Sequence, residues 1–196
     1  MKTKFIIFAL IATLTGFVNQ AQAQNQSCQE LYDTSPQSAI TICQNELTQN
    51  PNNAELQFYL AVAYDLEQNY AKAFEWFTKS ANQGHIQAQL ILGVIHYFKQ
   101  DYAKAVEWYT KSAEQGDAEA QHNLGVMYYN GHGIKQDYQK AFEWYTKSAS
   151  QGYAKAQYNL GVMYHSGRGV PKNTAKAKQW FAKACENGYT EACQYR

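Results

Sequence analysis

Histidines and cysteines are the residues of this chain whose side chains could carry acid–base, nucleophilic or metal chemistry. The five histidines are His85, His96, His122, His132 and His165. His132 lies in a Gly-His-Gly stretch, and the corresponding position 36 residues later is Arg168, which argues against a fixed catalytic role. The sequence contains no Ser-x-x-Lys, Lys-Thr-Gly or Gly-x-Ser-x-Gly motif, the patterns that mark serine nucleophiles. It therefore predicts no catalytic residue.

The first 23 residues are typical of a cleavable secretory signal. An apolar run follows Lys2 and Lys4, and an Ala-Gln-Ala triplet that ends at Ala23 supplies the small residues of a cleavage site. We expect residues 1–23 to be removed, no membrane anchor to remain, and the chain to be periplasmic or secreted. Removal of the two lysines in residues 1–23 leaves a formal charge of 15 − 16 = −1. A nearly neutral chain does not favour nucleic acid or an anionic membrane as a partner, because both attract basic proteins.

Export would place the four cysteines in an oxidising compartment, where an even number favours disulfides. They form two local pairs in the sequence, Cys28 with Cys43 and Cys185 with Cys193. Zinc is the competing interpretation, but neither the Cys-x2-Cys spacing nor the matched histidine pair of structural zinc sites accompanies them. We predict two intrachain disulfides, no bound metal and no cofactor.

Four tryptophans show how the rest of the chain is organised. They are 32, 36 and 36 residues apart, at Trp76, Trp108, Trp144 and Trp180. The stretch 117–152 recurs almost letter for letter as 153–188, and two shorter copies precede it at 53–84 and 85–116. A fixed period in this range is typical of a helical solenoid.

Each copy contains two amphipathic helical patterns. In the first helix of the third copy, Ala120, Leu124 and Met127 form an apolar stripe, and Gly125 beside it would let a neighbouring helix approach closely. In the second helix, small residues alternate with aromatic ones at i, i+3, i+4 and i+7: Ala141, Trp144, Tyr145 and Ser148. We expect Trp108 and Trp144 to be buried on these apolar faces. Gly152 should end the second helix as a left-handed residue.

The repeated motif is A-x-A-Q-x-x-L-G-x-x-Y-x-x-G-x-G-[IV], followed by A-x-x-W-[YF]-x-K-[SA]-[AC]-x-x-G. It resembles the Sel-one-like repeat, a subfamily of tetratricopeptide repeats, and the resemblance covers residues 53–188. It implies an all-α fold, a right-handed α-solenoid of antiparallel helix pairs. The Cys-x7-Cys spacing at Cys185 and Cys193 is similar to that of the cysteine-rich secreted Hcp branch, whose members are described as binding penicillin and hydrolysing β-lactams slowly.

The predicted organisation is one elongated domain after the signal. We expect a helical hairpin cap at 24–52, four repeats at 53–84, 85–116, 117–152 and 153–188, and a C-terminal cap at 189–196. Copies one and two lack the four-residue loop insertion that carries Gly-His-Gly and Gly-Arg-Gly in copies three and four. Ile134 and Val170 should pin these loops inward.

In ordinary tetratricopeptide arrays one side of the first helix lines a concave groove that contacts ligands, and the resemblance implies the same here. The matching positions form two rows, one of Phe58, Leu90, His122 and Tyr158, the other of Asp65, Tyr97, Tyr129 and His165. Aromatic residues with few charges suit peptide binding, because they give large contacts at low entropic cost. The alternative is that these rows pack on neighbouring helices.

Two functions follow as expectations. The first is an exported scaffold that holds a protein or peptide partner in its concave face, without turnover. The alternative is an Hcp-like penicillin-binding protein with weak β-lactamase activity, which no lactamase motif in the sequence supports.

Overall fold

The computed structural model describes residues 27–196, so the predicted signal at residues 1–23 lies outside the described residues. Over the described range the chain forms ten α-helices and a C-terminal 3-10 segment, without a strand. The helices are α1 (Cys28–Leu31), α2 (Pro36–Gln49), α3 (Ala54–Leu66), α4 (Tyr70–Asn82), α5 (Ile86–Phe98), α6 (Tyr102–Glu114), α7 (Ala118–Asn130), α8 (Tyr138–Ser150), α9 (Ala154–Ser166) and α10 (Thr174–Glu186), and the 3-10 segment is Thr190–Tyr195. None of these helices is long and apolar enough to cross a membrane.

The chain divides into two compact units near the end of α4, one that ends at Ser80 and one that begins at Ala81. The first unit contains α1 to α3 and most of α4. In the second unit each helix packs against the next in chain order, so that α5–α6, α7–α8 and α9–α10 form stacked hairpins. The predicted all-α solenoid of antiparallel helix pairs is confirmed.

Local signals in the sequence set the helix ends. The carboxylates of Asp117 and Asp137 accept hydrogen bonds from backbone N–H groups in the first turns of α7 and α8, at 2.7 and 3.0 Å. Gly152 follows α8 with a φ of +87°, the left-handed residue that the sequence predicted. In the short turns of copies one and two, Gln68 and Gln100 also adopt the left-handed conformation, with φ of 59° and 60°.

A glycine in each first helix of the second unit lets an aromatic ring of its partner helix lie against the backbone. A Cβ atom at Gly125 would lie 2.7 Å from the ring of Tyr145, which is closer than carbon atoms pack, so glycine is required there. The same arrangement recurs in the pairs Gly93–Tyr109 and Gly161–Phe181. The predicted packing of small against large residues is therefore present.

The tryptophans lie at the margin of this core. Trp108 is 8% exposed, but Trp144 is only partly buried. The Nζ atoms of Lys111 and Lys147 lie 4.2 and 4.0 Å from the ring centroids of these two tryptophans, as cation–π contacts. Trp144 is thus less buried than predicted. The inner position belongs to Tyr145, one residue later and about 100° further around the helix.

A buried glutamine joins each copy of the second unit to the helix before it. Gln121 is 6% exposed, its Nε2 donates to the Ala113 carbonyl at 3.1 Å, and its Oε1 accepts from Nε2 of Gln151 at 2.9 Å. Gln89 and Gln157 make the same two kinds of bond. Both ends of each buried amide are therefore paired, as burial of a polar group demands.

The four-residue insertions of copies three and four pack on the preceding copy. Gly133, with a φ of +68°, lies against the backbone carbonyl of Tyr102, where any side chain would collide. Gly169 lies in the same way against the carbonyl of Tyr138. Ile134 packs against the core between α6 and α7, and Val170 packs against the core between α8 and α9, so both point inward as predicted.

Both predicted disulfides are present. Cys28–Cys43 joins α1 to α2, and Cys185–Cys193 joins α10 to the 3-10 segment. By the 36-residue period, Cys193 takes the position of Gln157 and Cys185 that of Ala149. The second disulfide therefore replaces the hydrogen bond that joins the Gln157 side chain to the Ala149 carbonyl. The two disulfides indicate an oxidising environment outside the cytoplasm.

Replacing Gln121 by leucine should lower the free energy of unfolding by about 1–3 kcal/mol, because the hydrogen bonds of the buried Gln121 amide to the Ala113 carbonyl and to the Gln151 side chain are lost. The matched control is Gln87→Leu at an exposed position of α5, which should change stability by less than about 0.5 kcal/mol. Urea unfolding followed by far-ultraviolet circular dichroism checks this. Equal losses in the two variants would contradict the role of the buried glutamine.

Candidate binding groove

The first helices of the second unit, α5, α7 and α9, hold two adjacent pockets. The first lies between α5 and α7, has a volume of about 310 Å³, and is lined mainly by Val94, Tyr97, Phe98, His122, Asn123 and Val126. The second lies between α7 and α9, has a volume of about 380 Å³, and is lined by Val126, Tyr129, Asn130, Tyr145, Tyr158, Asn159 and Val162. Because Val126 borders both, the pockets form one surface, which we call the first-helix groove.

Four residues of the predicted rows line this groove, two in each pocket: Tyr97, His122, Tyr129 and Tyr158. Leu90 instead packs against the core formed with α7. His165 is exposed and lines neither pocket. Tyr97, which lines the first pocket, packs against the same core as Leu90. The residues of the two rows therefore differ in their surroundings.

The remaining two row residues, Phe58 and Asp65, belong to the first unit. The Phe58 ring is partly buried, with its centroid 5.9 Å from that of Phe77. Asp65 is exposed. Neither residue lines a pocket of the first-helix groove.

Several groove residues were missed in the sequence, among them Asn123, Asn159 and Phe98. Asn123 and Asn159 directly precede the Leu-Gly pair in copies three and four, so their recurrence was an available signal. Phe98 ends α5 and is 79% exposed, at a position where copies three and four carry Asn130 and Ser166. Copy one carries Leu66 at this position, so the signal was an apolar residue where copies three and four are polar.

His122 lines the first pocket and contacts Asn159, which lines the second. Its Nδ1 lies 3.1 Å from Oδ1 of Asn123, and its Nε2 lies 3.1 Å from Nδ2 of Asn159. This arrangement fits a neutral imidazole that donates from Nδ1 and accepts at Nε2. Burial lowers the pKa of His122 to about 4, the Asn123 hydrogen bond opposes this shift, and the charge of Lys155 adds to it. His122 is therefore neutral at physiological pH.

The loop insertions fix the aromatic rims of the groove. The ring of His132 stacks on Tyr102 at 4.7 Å and lies 6.4 Å from Tyr97. In the next copy the guanidinium of Arg168 donates to the hydroxyl of Tyr129 at 2.6 Å. Each insertion thus reaches back to a groove tyrosine of the preceding copy and restricts its ring.

Charges of both signs lie beside the groove. Glu119 lines the first pocket, and its counterpart one copy later is Lys155. Both side chains are exposed. Glu119 therefore brings a negative charge to the first pocket, and Lys155 at the start of α9 brings a positive charge close enough to lower the pKa of His122.

A family model for the Sel1 repeat matches residues 54–85, 86–117, 118–153 and 154–189. The chain belongs to the Sel1 repeat family. The resemblance inferred from the repeated motif is confirmed. The comparison with curated proteins found no match.

Solved structures of Sel1 repeat proteins resemble the chain. The c5321 protein of uropathogenic Escherichia coli, a protective antigen with an SLR fold, is 36% identical over 84% of this chain, with a TM-score of 0.76. A Sel1 repeat protein of Oxalobacter formigenes is 28% identical over 79%, with a TM-score of 0.71. The Helicobacter pylori cysteine-rich protein B is 26% identical over 64%, with a TM-score of 0.53. The chain spans 37%, 64% and 93% of these three proteins respectively.

The position of His122 predicts a loss of stability in acid. Its pKa is 6.5 in the unfolded chain and about 4 when folded, so the unfolded state binds the extra proton between these values. The stabilisation is complete above the unfolded pKa and is lost as the pH falls towards 4. Between about pH 7 and pH 4.5 this loss should be roughly 2 kcal/mol.

Urea unfolding at both pH values checks the prediction, with His122→Gln and the exposed control His165→Gln. The His122→Gln variant should lose roughly 2 kcal/mol less on acidification than the parent, whereas His165→Gln should behave like the parent. An identical pH dependence in all three proteins would refute a neutral buried His122.

Proposed function

We propose that this Sel1 repeat protein is an exported scaffold that binds an extended protein or peptide segment in the first-helix groove. The observation that carries the proposal is the pair of adjacent pockets that share Val126. In an extended peptide, side chains on the same side recur every second residue. Two neighbouring pockets suit two such side chains of one segment.

The walls of the groove favour apolar or aromatic side chains in the pockets. Tyr97, Val94 and Val126 line the first pocket, and Tyr129 and Tyr158 line the second. Their rings offer large contact areas, and the contacts of the loop insertions restrict Tyr97 and Tyr129 in advance. A partner therefore meets rings that lose little freedom on binding.

Polar groups on the groove floor can fix the orientation of a bound segment. The side-chain amides of Asn123 and Asn159 each carry donors and acceptors, as peptide groups do. The change of sign from Glu119 to Lys155 gives the groove a direction. A bound segment that places a basic residue near Glu119 and an acidic residue near Lys155 fits this charge pattern.

Phe98 extends the apolar surface at the edge of the first pocket. It is 79% exposed, the highest value among the large hydrophobic side chains exposed in residues 27–196. An exposed aromatic residue beside a pocket is typical of a contact surface that a partner covers. Phe98 is therefore an anchor in the proposed binding mode.

The disulfides support the part of the proposal that concerns export. The two disulfides require an oxidising compartment to persist. We propose that residues 1–23 direct secretion and that the mature chain acts in the periplasm or outside the cell.

The proposed function is binding without turnover, because the polar groups of the groove are already bonded to one another. His122 holds both Asn123 and Asn159. No group of three or more His, Cys, Asp or Glu side chains within residues 27–196 is arranged to hold a metal ion. No observation in this part of the chain favours the Hcp-like β-lactamase alternative.

Phe98→Ala and Tyr129→Ala should each weaken peptide binding by about tenfold, because each removes an aromatic anchor. Peptides selected from a displayed random library against the oxidised protein serve as probes, and fluorescence anisotropy gives their Kd values. Tyr70→Ala is the matched control, since Tyr70 is 64% exposed and lies in the first unit, outside the groove. Circular dichroism confirms that each variant remains folded.

Two outcomes would contradict the groove. Selected peptides that bind all three variants with the Kd of the parent would place the site elsewhere. Loss of helicity in Tyr129→Ala to the extent caused by Tyr145→Ala, which removes a ring that is 2% exposed, would make Tyr129 a core residue.

A further inference from the structure

The two pockets of the first-helix groove are built from equivalent residues of successive copies. Each contains a valine of one first helix, a ring on the following second helix and an asparagine on the next first helix. In the first pocket these are Val94, Tyr109 and Asn123, and in the second they are Val126, Tyr145 and Asn159. One period of 36 residues later, the same positions hold Val162, Phe181 and Tyr195.

The 3-10 segment Thr190–Tyr195 follows the path that the start of α9 takes one copy earlier. The backbone N–H of Ala192 donates to the Tyr189 carbonyl at 3.0 Å, as that of Ala156 donates to the Tyr153 carbonyl at 3.1 Å. Both alanines are fully buried. The segment therefore holds its residues in the register that α9 gives to the equivalent ones.

The ring of Tyr195 lies on the aromatic surface beside the second pocket. Its centroid is 5.2 Å from that of Phe181 and 6.3 Å from that of Tyr158. Because Tyr158 lines the second pocket, the ring of Tyr195 continues the wall of that pocket. Tyr195 is 46% exposed, so much of its side chain is open to a partner.

The chemistry at Tyr195 differs from that of the two pockets. In the groove His122 and Asn159 form a polar pair, with 3.1 Å between Nε2 and Nδ2. One period later Tyr158 and Tyr195 take their places, and the polar pair becomes a pair of rings. A surface of rings favours an apolar or aromatic side chain.

We propose that Tyr195, Phe181 and Val162 form a third contact position of the first-helix groove, which takes an apolar or aromatic side chain of the bound segment. The proposal rests on the proposed function, because it extends the same groove. Val162 lines the second pocket and packs against the core that contains Phe181, so the third position adjoins the second pocket. One extended segment that follows the groove therefore meets all three, and Tyr195 selects its side chain at the third.

The disulfide between Cys185 and Cys193 positions Tyr195. Cys193 lies two residues before Tyr195 and is bonded to Cys185 in the last turn of α10. The 3-10 segment has only six residues, whereas α9 has 13, and 3-10 hydrogen bonds have poorer geometry than those of an α-helix. The segment therefore depends on the disulfide for its position. Without this bond, the ring of Tyr195 should spend less time on Phe181.

Peptides selected from a displayed random library against the oxidised protein test the third position, with Kd values from fluorescence anisotropy. The informative peptides are those that Phe98→Ala or Tyr129→Ala weakens, because they occupy the groove. Tyr195→Ala should weaken their binding by about tenfold, since it removes an aromatic contact, whereas Tyr195→Phe should bind within about twofold of the parent. Alanine in place of one apolar or aromatic peptide residue should weaken binding to the parent by about tenfold and to Tyr195→Ala by less than about twofold.

A pair of disulfide variants tests the positioning role. Cys185→Ser with Cys193→Ser should weaken the same peptides by about tenfold, and adding Tyr195→Ala should weaken them by less than about twofold more, because the disulfide acts through that ring. The matched control, Cys28→Ser with Cys43→Ser, removes the disulfide of the first unit and should leave the Kd within about twofold of the parent value. Circular dichroism at the binding temperature confirms that each variant remains helical.

The outcomes separate this proposal from the proposed function. Peptides that Phe98→Ala and Tyr129→Ala weaken but Tyr195→Ala does not would overturn the third position and leave the proposed function intact. Peptides that none of the three substitutions weakens would overturn both. Losses from the disulfide and from Tyr195→Ala that multiply, or an equal loss in the control pair, would overturn the positioning role of the disulfide.

Discussion

The solenoid depends on a bond between the end of each second helix and the start of the next first helix. In copies two to four a buried glutamine makes this bond, as Gln121 does to the Ala113 carbonyl. At the C-terminus the same two positions hold Cys185 and Cys193, which are joined covalently. Since each copy contacts only its neighbours, the angle set at this joint decides how the next hairpin stacks. At this last joint of the described chain, the disulfide takes the place of the hydrogen bond.

The loop insertions add a second connection between copies, and it shapes the groove. In copies three and four, the glycine that follows His132 or Arg168 presses against the start of the previous second helix. This contact brings His132 beside Tyr97 and Arg168 onto Tyr129. Copy two lacks the insertion and turns through Gln100 instead. The groove is therefore built where insertions are present, between copies two and four, and its rims come from residues that are distant in sequence.

Sequence periodicity predicted the helices and their ends, because these depend on spacing within one or two turns, and the two local pairs of cysteines predicted the disulfides. It did not predict which aromatic residue is innermost. That choice depends on Gly125, which admits Tyr145 and leaves Trp144 at the margin. The resemblance also placed Leu90 and His122 in one row, although His122 lines the first pocket and Leu90 lines neither pocket of the groove. Positions that are equivalent in sequence differ in exposure, because the neighbouring copies carry different loops and partners.

Differences between copies carry the functional information in such an array. Every hairpin packs on its neighbours in the same way. The buried glutamines, the glycine contacts and the core alanines therefore recur from copy to copy. Groove positions are less constrained by packing between copies, and their residues vary. Leu90, His122 and Tyr158 occupy one equivalent position in copies two, three and four, and Glu119 and Lys155 occupy another in copies three and four. A groove that repeated itself would bind a segment in several registers with equal free energy. A groove whose pockets differ in shape and in the sign of nearby charge binds one register and one direction better than the others. The irregularity of the first-helix groove is therefore the property that would make it selective.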